Sequence, residues 1–105
     1  MWEYKAKVLR VIDGDTIEAD IDLGFSLHYI AKIRLAGINA PEMKTPEGAP
    51  AKARLTEILA TYPALVITTI LNKEFEKYGR VLGTITINGH SVNQQMITEG
   101  FAVKA

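Results

Sequence analysis

The chain has 105 residues, no Cys, and twelve basic side chains that cancel twelve acidic ones. That length fits one domain, residues 1–105, which buries roughly 60–70% of the surface its unfolded chain exposes and needs no staple to hold its core. The missing Cys excludes disulfide scaffolds, Cys-ligated zinc and thiol chemistry, and the cancelled charge excludes a protein that grips duplex DNA mainly by counterion release.

Lys5 to Ile12 and Thr16 to Leu23 are rich in β-branched residues and partly alternating, with turn chemistry at Asp13-Gly14-Asp15 between them, which predicts a β-hairpin. A third strand is predicted over Leu27 to Leu35, with Leu27, Tyr29, Ala31, Ile33 and Leu35 on one face. Gly37 to Pro50 holds five Gly and Pro residues, a density that predicts a loop. From Pro50 onward Ala51, Leu55, Ile58, Leu59 and Tyr62 recur at helical spacing until Pro63. Ala64 to Leu71 and Val81 to Ile87 read as two more strands, joined through Asn72 to Arg80. Ser91 and Gln94 suit a capping box for a short second helix, with Val92, Met96 and Ile97 facing inward and Gly100 at its C-terminal end. The expected fold is mainly β with two helices, a five-stranded barrel of the OB type. No stretch approaches ~18 apolar residues and no apolar run follows a basic N-terminal segment, so neither membrane span nor signal peptide is expected and the cytoplasm is the default location.

Five carboxylates, Asp13, Asp15, Glu18, Asp20 and Asp22, run without a basic residue among them. Glu18, Asp20 and Asp22 read as a solvated strand face. Asp15 stands just past the turn, where it is either a turn residue or a hard oxygen ligand for a divalent cation. Arg34 and Glu42 form either a plain surface ion pair or part of a phosphodiester-cleaving set. Such a set needs a base to orient water, a cation for phosphate oxygen and planar guanidinium donors for the transition state, and Asp15, Arg34, Glu42 and Arg80 would supply all three. Lys77-Tyr78-Gly79-Arg80 is a turn with a candidate stacking ring at Tyr78. His28 and His90 have no metal-ligand spacing and read as surface or turn residues, and Trp2 and Phe25 as core or edge packing.

Four blocks, Val11-Ile-Asp-Gly-Asp-Thr16, Arg34-Leu-Ala-Gly-Ile-Asn-Ala-Pro-Glu42, Lys77-Tyr-Gly-Arg80 and Val92 to Gly100, resemble the staphylococcal nuclease (thermonuclease) family in order and spacing. The resemblance implies the five-stranded OB barrel and a Ca²⁺-dependent nuclease acting on DNA and RNA, preferring single strands and leaving 3′-phosphate ends. By position, Asp15 matches a metal-binding aspartate, Glu42 the general base for the attacking water, and Arg34 and Arg80 the arginines that clamp the phosphate. Asp13 and Thr16 match positions beside the metal, and Lys77 and Tyr78 match positions lining the nucleotide pocket. Asn39 stands where the family has a second metal-binding aspartate, which predicts a weaker Ca²⁺ site built from Asp15, Asn39 and the Ala40 carbonyl. Ala40 replaces a common threonine, and the chain reads as a minimal form without the third helix. The leading expectation is a metal-dependent endonuclease working as a monomer or weak homodimer on single-stranded DNA or RNA. The alternative is a catalytically weak barrel that binds single-stranded nucleic acid or a protein.

Overall fold

The computed structural model describes residues 2–61, 65–69 and 81–105. Strands β1 (Trp2–Asp13), β2 (Thr16–Gly24) and β3 (Leu27–Leu35) form an antiparallel meander, followed by the two-residue strand β4 (Ile38–Asn39) and helix α1 (Gly48–Ala60). Then come β5 (Leu65–Thr69), β6 (Val81–Ile87), the short β7 (His90–Ser91), helix α2 (Val92–Thr98) and the short β8 (Val103–Lys104).

The main sheet runs β3-β2-β1-β5-β6-β7, and β3 also pairs in parallel with β6 from Ile33↔Val81 to Leu35↔Gly83, which curls the sheet toward a closed barrel. Ile17, Ile33, Leu35, Ile67 and Ile85 point inward from the strands, and Leu55 of α1 and Met96 of α2 close the core. The expected barrel with two helices is the observed architecture. β4 and β8 pair with each other, Ile38↔Lys104 and Asn39↔Val103, and fasten the stretch after β3 to the C-terminal end.

Three differences have local causes. Helix α1 starts at Gly48, two residues before Pro50, because a proline in the first helical turn forfeits only an amide that has no intrahelical partner. β4, β7 and β8 are too short to carry a periodicity of their own and exist by pairing. The β2–β3 hairpin also runs past the core, leaving Leu27 and Tyr29 exposed. Phe25, expected to pack, is 98% exposed in a two-residue turn where it has φ +54° and Ser26 has φ +64°. The backbone twist of such a turn requires positive φ, and Phe25 spends its ring on solvent to supply it. Tyr62, Pro63 and the connection from Asn72 to Arg80 lie outside the described residues, as does the Trp2 side chain.

Ser91 caps α2 as its sequence suggests, its hydroxyl accepting from the Gln94 amide at 3.1 Å, while the Gln94 side chain reaches on to Thr98 instead of back to Ser91. Gly100, at φ +83°, ends the helix with the Phe101 amide on the Met96 carbonyl at 2.9 Å and its own amide on Ile97 at 3.0 Å. Among the described residues no helix is long and apolar enough to cross a membrane.

Candidate active site

The β1–β2 turn is shaped from both sides. The Asp13 carboxylate accepts from the Asp15 amide at 3.1 Å, a side-chain turn typical of aspartate. A β-carbon on Gly14 would lie 2.7 Å from the Ala40 Cβ and 2.8 Å from the Ala51 Cβ, so only glycine lets this turn seat against the loop after β4 and against α1. The β2–β3 register places Thr16 opposite Arg34, and the Leu35 amide donates to the Asp15 carbonyl at 2.8 Å. Two positions nineteen residues apart in sequence, 15 and 34, thereby come together at one end of the sheet.

Asp15 is 7% exposed, and its buried carboxylate has three partners. Oδ1 accepts the Thr16 hydroxyl at 3.0 Å, and Oδ2 accepts the Ala40 amide at 2.9 Å and faces Nη2 of Arg34 at 3.3 Å. The same Nη2 donates to Oδ1 of Asn39 at 2.5 Å, while Nη1 donates to the Leu35 carbonyl at 2.8 Å. A charge pair this deep is costly to break, about 3–5 kcal/mol when one partner is removed. Burial pushes the Asp13 carboxyl above its ordinary range, and the Asp15 carboxylate pushes it the same way.

Arg34 therefore pairs with Asp15 and Asn39, and the simple Arg34–Glu42 ion pair is not what forms. Glu42 sits on the adjoining loop with its side chain 71% exposed, and Oε2 meets Nζ of Lys44, itself 82% exposed, at 3.1 Å. An exposed pair of this kind is worth at most about 1 kcal/mol, so it leaves the Glu42 carboxylate available.

The donor set suits a hard divalent cation in kind. Asp15 and Asn39 offer oxygens that already converge on one cationic group, the Arg34 guanidinium, and Ala40 lies against Asp15. It is thin in charge: among the described residues no three His, Cys, Asp or Glu gather as a metal cluster. Of the predicted residues, Asp15 contacts both Arg34 and the Ala40 amide, Arg34 also contacts Asn39, and Glu42 follows two residues after Ala40 on the adjoining loop. Lys77, Tyr78 and Arg80 lie outside the described residues. Gly14, whose lack of a side chain seats the turn, carried no chemical signal beyond its place in a turn.

Residues 32–105 match the family described as Staphylococcal nuclease homologue. The chain belongs to the staphylococcal nuclease family. It is similar to Protein ParB of Escherichia coli, 31% identical over 95% of this chain and 56% of that protein. It is likewise similar to a micrococcal nuclease of Shigella flexneri, 34% identical over 79% of this chain and 42% of that protein. An uncharacterized endonuclease of Escherichia coli is 34% identical over 95% of this chain and 60% of its own length. The chain thus spans about half the length of these relatives. Within the staphylococcal nuclease family match fall Arg34, Asn39, Ala40 and Glu42, while Asp15 precedes it and is reached by the alignments that cover 95% of the chain.

Proposed function

We propose that this domain is a metal-assisted nuclease that hydrolyses phosphodiester bonds of DNA or RNA, favouring single strands. The observation that supports it best is the buried Asp15–Arg34 pair at the sheet's end with an accessible carboxylate, Glu42, on the loop next to it. The family and the names of two relatives, a micrococcal nuclease and an endonuclease, point the same way.

Glu42 takes a proton from water as the water oxygen attacks phosphorus, the bond from phosphorus to the 5′ oxygen breaks, and that oxygen leaves as a hydroxyl protonated from solvent. Arg34, already oriented by three acceptors, presents its remaining N–H groups to the phosphate and offsets the charge that builds on its oxygens, with Arg80 as the second guanidinium. Lys77 and Tyr78 are the proposed contacts to the nucleotide. Asp15, Asn39 and the Ala40 carbonyl would hold a Ca²⁺ ion, which when bound polarises a phosphoryl oxygen. The domain would act in the cytoplasm, as a monomer or weak homodimer.

The test is cleavage of heat-denatured DNA with Ca²⁺ and with chelator, comparing wild type, Glu42→Gln and Arg34→Ala, with circular dichroism to confirm folding. Chelator-sensitive cleavage reduced steeply but measurably in both folded variants is the expected result. A Glu42→Gln protein that cuts at the wild-type rate refutes the assignment of the base. One observation favours the alternative of a binding module: Asn39 gives the cation position an amide in place of a second charge. Wild type that retains single strands but never cuts them would establish that alternative.

A further inference from the structure

The Glu42 carboxylate is exposed and meets only the equally exposed Lys44 ammonium, yet the peptide that carries it is tightly held. The Glu42 carbonyl accepts both the Thr45 amide at 2.9 Å and the Thr45 hydroxyl at 2.6 Å. The Thr45 carbonyl in turn accepts the Gly48 amide at 3.1 Å, which links the loop to the first residue of α1. Gly48 is buried, and a β-carbon there would fall 2.7 Å from the Glu42 carbonyl carbon and from the Met43 Cα, and closer still to the Glu42 carbonyl oxygen. Real β-carbons do not approach backbone atoms so closely, so any side chain at 48 must push the Glu42–Met43 peptide away. The helix itself does not ask for glycine here; alanine is the better helix former.

We infer that Gly48 and Thr45 are positioning residues for the reaction: together they set the backbone from which Glu42 reaches the attacking water. The inference rests on the proposed role of Glu42 and adds the two residues that act through it. Misplacement of a base by a fraction of an ångström to 1 Å is enough to cost up to about 100-fold in rate.

The experiment is a cycle of Gly48→Ala, Glu42→Gln and the double variant, measured as kcat and KM on heat-denatured DNA with Ca²⁺. Backbone amide NMR shifts are recorded beside the kinetics. Gly48→Ala is expected to lower kcat about tenfold or more with KM within a factor of about two, and to cost nothing further once Glu42 is already Gln. Its amide shifts should change at Glu42, Met43 and Thr45. A fall in KM-dependent binding alone, an equal loss in the Glu42→Gln background, or shifts confined to α1 would overturn the inference. If Gly48→Ala does not fold, Thr45→Val decides: it should slow turnover and Thr45→Ser should restore it, whereas a Thr45→Val protein at the wild-type rate overturns the claim. Should Glu42→Gln cut normally, or wild type not cut at all, the assignment of Glu42 fails, while the amide shifts still report whether Gly48 sets that peptide.

Discussion

Asn39 places an amide oxygen where it shares the Arg34 guanidinium with the Asp15 carboxylate. A carboxylate there would add a full charge, worth about 4 kcal/mol toward a unit cation at ~4 Å and an effective dielectric of ~20. Asn39→Asp is therefore expected to tighten Ca²⁺ binding at least about tenfold by titration calorimetry and to raise turnover with it; an unchanged Ca²⁺ affinity would remove Asn39 from the cation position. At this scale the chemistry was legible in the sequence, because acids and guanidinium groups announce themselves. Their partners were not. Arg34 lies eight residues from Glu42 and nineteen from Asp15, and only the Thr16↔Arg34 register makes the distant carboxylate the near one. Gly14 and Gly48 act by the space they leave, which no residue type advertises.

The two helices are joined by an ionic clasp rather than by their apolar faces alone. Arg54 of α1 donates through Nε to Oε1 of Glu99 at 2.5 Å and through Nη2 to Oε2 at 3.0 Å, and Gln95 adds a third bond to Oε2 at 2.8 Å. The Arg54 guanidinium, followed by the Gln95 amide, draws the Glu99 carboxyl down to about 2 from its ordinary 4.5. A carboxyl whose pKa is lower folded than unfolded contributes stability above the unfolded value and loses it as pH falls through the folded one. Glu99→Gln should therefore lower the thermal midpoint at pH 7, and the gap to wild type should close as pH drops from about 4.5 toward about 2; a gap that persists at pH 2 would mean that the clasp is not ionic. Element by element, the long strands, α1 and the caps of α2 were readable from periodicity and end signals. β4 and β8 were not, since two residues hold no period and each exists only because the other is there.

The barrel is sealed by a buried amide that sequence gave no reason to single out. Asn93 donates to the Ala36 carbonyl at 2.9 Å and to the Gly83 carbonyl at 3.2 Å, and accepts from the Ile85 amide at 3.1 Å. It ties α2 to both strands at the closure, beside the direct bond from the Ala36 amide to the Gly83 carbonyl at 2.8 Å. Asn93→Ala strands the Ile85 amide and the Ala36 carbonyl and should cost about 2–4 kcal/mol in urea denaturation; a loss under ~1 kcal/mol would show that the strands close without it. The polar neighbours Gln94 and Gln95 are exposed or half-buried on the same short helix, so only the three-dimensional closure distinguishes Asn93 from them.

The seam between β3 and β6 also has a consequence in time. Ile33 meets Val81 across 48 residues of chain, so during synthesis the segment bearing Asp15, Arg34, Asn39 and Glu42 leaves the ribosome roughly 2–10 s before the strand that closes over it. For that interval the nascent chain holds most of its proposed catalytic groups on an open sheet, and the proposed site is completed only when the strand from Val81 to Ile87 arrives.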